Sequence, residues 1–228
     1  EYVVNKIDAM LSQMNCVSEI HSIEEKFKIK PNNYDAIILG CPKYYEYPVL
    51  DFIRYIKKYL PVNKKSIPAM IFCTQAGPLK TDFRKVEHIL SNKNYRLTAS
   101  KSFAISNNMV IFGFFPATKE EVIQNNLETL NKDLDPLIKD FLDGKITKEK
   151  TKRIYGVACY LTSIIFTKLL ALFGVKYSSS NECIGCGLCV KNCPKKNIKL
   201  HNKKLKFGKE CIFCMRCINI CPKNTILY

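Results

Sequence analysis

The sequence predicts an α/β fold in which a doubly wound parallel sheet is followed by a small α+β module rich in cysteine. Two observations predict it: short apolar runs alternate with amphipathic stretches between residues 35 and 143, and one cysteine spacing occurs twice after residue 180. A chain of 228 residues has room for one α/β domain and one small module. We therefore expect three parts, at residues 1–144, 145–177 and 178–228.

The sheet prediction depends on the order of the elements along the chain. Continuous apolar strands that are separated by helices form parallel sheets covered on both faces. In such sheets, ligands bind in the loops at the carboxyl ends of the strands. The predicted strands are 34–42, 67–77 and 95–105, and the predicted helices are 49–60, 79–93 and 118–142.

The chain begins with a stretch that predicts a helix rather than a strand. Val3, Ile7, Met10, Leu11 and Met14 recur at helical spacing. We therefore expect one apolar face of this helix to pack against the sheet.

One cysteine spacing, Cys-x-x-Cys-x-x-Cys-x-x-x-Cys-Pro, occurs at residues 183–194 and again at 211–222, an offset of 28 residues. Two-residue gaps let three sulfurs of one tight loop bind three irons of a 4Fe-4S cube, and the fourth thiolate then comes from the other repeat. The spacing resembles that of the bacterial two-cluster ferredoxins. We predict one cluster on Cys183, Cys186, Cys189 and Cys221, and a second on Cys211, Cys214, Cys217 and Cys193.

Zinc and disulfides explain this pattern less well. Zinc needs only four ligands in a tetrahedron and no proline after every fourth cysteine. Cluster thiolates must stay reduced, which favours a cytoplasmic protein, and the resemblance points to an anaerobe. The remaining cysteines stand singly in apolar surroundings and are expected to be small buried side chains. They are Cys16, Cys41, Cys73 and Cys159.

Two loops of the predicted sheet resemble the flavin-binding loops of flavodoxins. One strand ends in Gly-Cys-Pro and continues into the aromatic run 43–48, and the next strand ends in TQAG at 74–77. Flavodoxin-like domains fused to a two-cluster ferredoxin form a family of anaerobe redox proteins, which this chain resembles over nearly its whole length. The resemblance implies that the isoalloxazine ring of FMN faces Pro42, Lys43, Tyr44, Tyr45, Glu46, Tyr47, Thr74, Gln75, Ala76 and Gly77. The alternative is that the three tyrosines cap the edge of the sheet.

The beginning of the chain departs from the flavodoxin pattern. A flavodoxin opens with a strand and a Ser/Thr/Gly/Asn-rich loop that binds the FMN phosphate, whereas this sequence starts in a helix at Glu1. We expect the sequence to be part of a longer or processed product. Without that first strand, strands near 16–21 and 36–40 lack a shared neighbour. FMN is therefore expected to bind the intact protein, but weakly or not at all to residues 1–228.

A charged connector at 145–153 precedes the most apolar stretch of the chain, residues 154–175. Its length approaches that of a membrane span, although Lys168 lies within it and its apolar residues recur at helical intervals. Three interpretations stay open: a packed helix between the domains, a helix on a membrane surface, and a true span. Residues 178–182 then predict a flexible boundary.

The chain is strongly basic, with a formal net charge of +16. Residues 178–228 carry ten basic and two acidic side chains, so the small module is far more densely basic than the rest. This charge favours an acidic redox protein or an anionic lipid surface as a partner, and no nucleic acid is expected. A solvated lysine-rich surface is the alternative.

The cluster motif favours an electron-transfer protein that relays single electrons between its clusters and either a flavin or a partner redox protein. One alternative is a flavin-dependent oxidoreductase that holds a small molecule with loop 43–48 and segment 106–115. Another is an iron-sulfur sensor or interaction module whose flavodoxin half has lost its ligand. The isolated His21, His88 and His201 do not predict catalysis, and Glu46 is the one acid expected near a flavin.

Overall fold

The computed structural model describes residues 1–30, 32–107, 109 and 116–228, and its largest feature is a sheet of five strands. The helices are α1 (Tyr2–Gln13), α2 (Leu50–Tyr59), α3 (Arg84–Ser91), α4 (Glu120–Leu142), α5 (Arg153–Gly174), α6 (Leu188–Lys191) and α7 (Arg216–Asn219), with one 3-10 turn at Ile23–Glu25. The strands are β1 (Ile37–Tyr44), β2 (Tyr47–Pro48), β3 (Ile67–Gln75), β4 (Tyr95–Ala104), β5 (Thr147–Lys148), β6 (Ser178–Ser179), β7 (Ile198–His201), β8 (Lys204–Phe207) and β9 (Ile226–Leu227).

The sheet has the strand order β2-β1-β3-β4-β5. Strands β1, β3, β4 and β5 run parallel, and β2 turns back to pair antiparallel with the end of β1. The register of β1 against β3 places Cys41 opposite Cys73 and Pro42 opposite Thr74. The carboxyl ends of these two strands therefore lie side by side, as the sequence predicts for the two loops.

Alternate residues of the central strands supply two separate cores, because successive side chains of a strand point to opposite faces. Ala69, Ile71 and Cys73 of β3 face one core, which α2 and α3 cover. Met70 and Phe72 face the other core, which α1 and α4 cover. Helices thus pack on both faces of a parallel sheet, and the predicted doubly wound α/β fold is confirmed.

The predicted strand near residues 16–21 is wrong. This segment is irregular, and Val17 is fully exposed. A strand needs a neighbour to receive its backbone hydrogen bonds, and the described residues offer none beside this segment. The helix before it is as predicted, since Val3, Ile7 and Leu11 are buried on one face of α1.

The connector at 145–153 is more ordered than its composition predicts. Strand β5 lies within it and pairs with Ala99 and Ser100 of β4. Lys148 forms an ion pair with Glu87 at 2.7 Å, and Ser102 donates a hydrogen bond to Glu149 at 2.6 Å. The charged run therefore adds an edge strand to the sheet.

The chain forms two compact units, and helix α5 contributes to both. One unit comprises residues 1–105 and 120–160, and the other comprises residues 106–119 and 161–228. The second unit contains the hairpin of β7 and β8, the ladder of β6 and β9, and the short helices α6 and α7. Residues 178–179 are paired in that ladder and so do not form the flexible boundary expected from their composition. The division at 144 and 177 stays a prediction.

Candidate iron-sulfur site

The two cysteine repeats adopt the same backbone conformation at the same offset of 28 residues. Helices α6 and α7 begin at equivalent positions, 188 and 216. Gly185 and Gly187 of the first repeat have φ of 72° and 73°, and the equivalent Phe213 and Met215 of the second have 57° and 55°. Each repeat therefore builds the same tight loop, which turns three cysteines toward one point.

The first cysteine set is assembled from both repeats. Cys183, Cys186 and Cys189 lie in and just after the first tight loop, and together with Cys221 of the second repeat they line one cavity. Gly185, Gly187, Pro222 and Thr225 complete much of its wall. The structure thus brings together the four cysteines that the sequence assigns to one cluster.

The second set is assembled in the same crosswise way. Burial raises the pKa of the Cys211, Cys214 and Cys217 thiols, that of Cys217 to about 12. Repulsion from the Cys193 sulfur raises the pKa of each of the three further, and repulsion from neighbouring sulfurs of the same repeat raises the pKa of Cys211 and Cys217. Cys193, Cys211 and Cys217 also pack against the same small core, so Cys193 of the first repeat lies near cysteines of the second.

Backbone amides donate to the sulfur of the last cysteine in each repeat. Asn197 donates its N–H to Cys193 Sγ at 3.3 Å, and Thr225 donates to Cys221 Sγ at 3.4 Å, again 28 residues apart. Burial alone would raise the pKa of Cys221, but hydrogen bonds from Thr225 and neighbouring amides outweigh it and lower the pKa. Amides that favour a thiolate are what a cluster ligand requires.

Eight thiols in two repeats are more than a single metal ion needs. Among the described residues, no three His, Cys, Asp or Glu side chains converge closely enough to bind one ion. Zinc holds each thiolate at about 2.3 Å from one centre, whereas a 4Fe-4S cube takes each of its four thiolates on a different iron. The donor set, eight cysteines in two groups of four, fits two cubes.

The two sets differ in their exposure to solvent. Cys186 is exposed, and Ile184 and Leu188 beside it are 53% and 38% exposed. In the second repeat the equivalent Ile212 and Cys214 are less exposed, Arg216 is exposed like Leu188, and the nearby Phe213 and Met215 are buried. Ile184 and Leu188 therefore do not exclude water from the first set, because they lie at the molecular surface.

Helix α5 contacts the second set at a position that the sequence did not indicate. Gly174 is buried, and a Cβ atom added there would lie 2.4 Å from Cys211 Cβ and 2.7 Å from its Sγ. Leu170, one turn earlier, packs against the core of the same unit. The one available signal was a glycine near the end of an otherwise bulky apolar helix.

The aromatic run predicted to face a flavin forms a hairpin. Tyr45 and Glu46 have φ of 53° and 61° and make a two-residue turn between β1 and β2. Tyr47 is buried and its ring lies 5.3 Å from that of Tyr160. Lys43 donates to Glu46 at 2.6 Å, and Tyr44 and Tyr45 stay partly exposed.

The second predicted flavin loop is closed by its own hydrogen bonds. Gln75 is buried and donates to the carbonyl oxygens of Gly77 at 2.6 Å and Leu79 at 2.8 Å. Thr74 is half-buried, Ala76 is exposed, and Pro42 at the end of β1 is exposed as well. Residues 108 and 110–115 of the predicted substrate segment lie outside the described residues. The flavin role of both loops stays a prediction.

Comparison with known proteins identifies the cysteine-rich module. Residues 176–222 match a family model described as a 4Fe-4S dicluster domain. No curated protein matches the chain. A solved flavodoxin from the domain Archaea is similar at 11% identity and a TM-score of 0.34, over 58% of this chain and 85% of that chain. The cluster motif is thus supported as an iron-sulfur domain that includes all eight cysteines of the two repeats.

Proposed function

We propose that this chain is an electron-transfer protein whose C-terminal module relays single electrons to and from a partner redox protein in the cytoplasm. When bound, each 4Fe-4S cluster supplies a one-electron couple. The observation that carries the proposal is the crosswise grouping of Cys221 with the first repeat and of Cys193 with the second. That grouping agrees with the match to a dicluster domain.

The residues around the two cysteine sets give them different roles. Buried Phe213 and Met215 keep water from the second set, and the amides of Asn197 and Thr225 stabilise thiolates in both. The exposed Cys186, Ile184 and Leu188 leave the first set open to a partner. We therefore assign partner contact to the first set.

The partner surface is basic. Lys223 lines the first cavity, and Lys203 lies against Gly185 of the same loop. With eight more basic than acidic side chains in residues 178–228, the module attracts an acidic redox protein and orients it on approach. The rate of electron exchange with such a partner should fall as salt is added, because mobile ions screen the attraction.

Paired cysteine substitutions test the crosswise ligand sets. Cys183→Ala with Cys221→Ala removes two ligands from one predicted cluster, so about four irons should remain after anaerobic reconstitution. Cys183→Ala with Cys193→Ala removes one ligand from each cluster, so clearly fewer than four irons should remain bound. Cys16→Ala is the control and should keep about eight.

If each repeat instead holds its own cluster, Cys183→Ala with Cys193→Ala should keep about four irons. Cys183→Ala with Cys221→Ala should then keep clearly fewer than four. That outcome would overturn the crosswise assignment while leaving two clusters in place. Fewer than about four irons on the unsubstituted chain would overturn the electron-transfer proposal itself.

A flavin is the second candidate component. Tyr45 and Glu46 hold left-handed backbone conformations at the carboxyl end of the sheet, and such strain clusters at functional sites. The fit to FMN is incomplete, because Tyr47 is turned onto Tyr160 and Lys43 pairs with Glu46. We therefore expect residues 1–228 to bind FMN weakly or not at all. Quenching of flavin fluorescence at equimolar FMN, retained through gel filtration, would contradict this expectation.

A further inference from the structure

Helix α5 carries an apolar face that is open to solvent. A surface helix of a soluble protein normally turns its apolar side inward. Here the inward side combines the small or polar Gly156, Cys159, Ser163 and Gly174, all buried, with the packed Tyr155, Tyr160 and Leu170. The outward apolar face has seven side chains, each 47–80% exposed: Ile154, Val157, Leu161, Ile165, Leu169, Leu172 and Phe173.

The contacts at its two ends prevent this helix from crossing a membrane in the present fold, although its length and composition would allow it. Near its start, Gly156 packs so closely on Asp82 that an added Cβ would overlap the carboxylate. Near its end, Gly174 packs in the same way on Cys211. A span needs about 20 residues free to face lipid on all sides. Only one side of α5 is free.

Along the chain, helix α5 and its immediate flanks carry only positive charge. Residues 150–181 contain no acidic side chain and five basic ones. Lys168 is exposed and lies three residues after Ile165 and four before Leu172, so it belongs to the apolar face itself. Within the part of the chain that the structure describes, none of the five basic side chains forms an ion pair: Lys150, Lys152, Arg153, Lys168 and Lys176.

We propose that α5 lies in the plane of an anionic phospholipid surface, with its apolar face in the boundary between headgroups and acyl chains. Apolar burial and attraction of basic side chains to anionic lipid add together in such helices. Lysine at this depth extends its long stem so that the ammonium group reaches the phosphates. A second copy of the chain fits less well, because residues 150–181 have no acidic side chain that could pair with the basic side chains of the other copy.

Vesicle sedimentation with the cluster-loaded full chain tests the proposal. The chain should bind vesicles of phosphatidylcholine with one quarter phosphatidylglycerol, and bind pure phosphatidylcholine far more weakly. Ile165→Glu with Leu172→Glu should weaken binding to the anionic vesicles at least about tenfold, because two apolar side chains no longer enter the bilayer. The control is Val62→Glu with Val122→Glu, which makes the same charge change at exposed valines elsewhere and should keep binding within about twofold.

Four results would overturn the proposal. They are no binding to anionic vesicles, equal binding to both vesicle types, equal weakening by both double variants, and binding that resists alkaline carbonate extraction as a span would.

Sedimentation equilibrium without vesicles supplies a further check. A dimer that Ile165→Glu with Leu172→Glu dissociates would assign the face to a second copy instead. Iron content, measured on every variant, separates lipid binding from loss of the clusters.

Discussion

Gly174 is the residue at which helix α5 meets the second cysteine set. Alanine usually stabilises a helix relative to glycine by about 1 kcal/mol. At this position the added methyl group would lie 2.4 Å from Cys211 Cβ, which forces either the helix end or the ligand to move. Overpacking of this kind costs roughly 1–3 kcal/mol.

Gly174→Ala should therefore lower both the thermal stability of the loaded module and the iron retained per chain. The matched control is Gly77→Ala, where an added Cβ meets nothing within 4 Å. Iron analysis and visible absorbance after desalting measure the effect. Equal iron retention in the two variants would show that Cys211 tolerates the displacement.

Asp82 is a buried carboxylate that lies two residues before the start of α3 and pairs with Arg84. It accepts a hydrogen bond from the Arg84 amide at 2.9 Å, and the Arg84 guanidinium also donates to it. Burial alone would raise the pKa of Asp82, but the hydrogen bonds and charge of Arg84 outweigh it and hold the pKa below 3.8. The ionised form therefore stabilises the fold fully above pH 3.8, and this contribution is lost as the pH falls through the lower folded pKa.

Asp82→Asn should lower the free energy of unfolding by about 1–3 kcal/mol, because the charge-assisted hydrogen bonds from Arg84 weaken. The loss should be equal at pH 7 and pH 5, since both lie above the folded and the unfolded pKa. Urea unfolding of the two proteins at each pH measures it. If the two proteins differ less in free energy of unfolding at pH 5 than at pH 7, the folded pKa of Asp82 is higher than its surroundings imply.

The sequence indicates the eight candidate cluster cysteines residue by residue, but it indicates only half of the backbone conformation that presents them. Gly185 and Gly187 signal the left-handed conformations of the first loop. Phe213 and Met215 adopt the same conformations without that signal, because their burial in the core of the module holds the loop in place. Tertiary packing here overrides the local preference of Phe213 and Met215 for negative φ. The sequence of the loop alone does not reveal this packing.

At the scale of elements, the first turns of α5 dock on the start of α3. Arg84 donates to the carbonyl oxygen of Lys152 at 2.9 Å. A Cβ added at Gly156 would lie 1.5 Å from Asp82 Oδ2. Glycine is therefore required at this position of the helix by the close approach of the carboxylate.

Gly156→Ala should destabilise the α/β unit in the presence of Asp82 and much less in the background of Asp82→Ala, where the carboxylate is gone. A double-mutant cycle by urea unfolding gives the coupling between the two positions, expected at roughly 0.5–3 kcal/mol for residues in contact. If the effects of Gly156→Ala and Asp82→Ala on the free energy of unfolding are additive, the start of α5 can move away from Asp82 without loss of stability.

Long apolar and amphipathic stretches were the elements that the sequence predicted well. Strands β3 and β4 and helices α2, α4 and α5 lie within a few residues of their predicted bounds, because their periodicity is local. The two-residue strands were missed, since β6 pairs with β9 more than forty residues later and no local pattern records that pairing. The turn at Tyr45 and Glu46 was missed because neither residue type favours a positive φ.

At the scale of the whole molecule, the two units have unequal means of stabilisation. The α/β unit has two extended cores on either side of its sheet. The core of the cysteine-rich unit is small, with Tyr177, Ile198, Phe207, Phe213 and Ile226 among its few buried apolar residues. Small units with so few buried apolar residues usually need disulfides or metal to remain folded. None of the twelve cysteines forms a disulfide, so the clusters are expected to supply this stability.

Removal of iron with a chelator under anaerobic conditions should therefore unfold the cysteine-rich unit and leave the α/β unit folded. The free energy of cluster binding is part of the folding free energy of this unit, so it is lost when the iron is removed. The released thiolates then take up protons. Limited proteolysis should cut the chelated chain after residue 174 and leave a resistant α/β fragment, while the loaded chain resists cleavage there. Calorimetry should show the same upper transition before and after chelation, because neither core of the α/β unit contains a cluster ligand. A single transition that is lost as a whole on chelation would show that the two units fold as one.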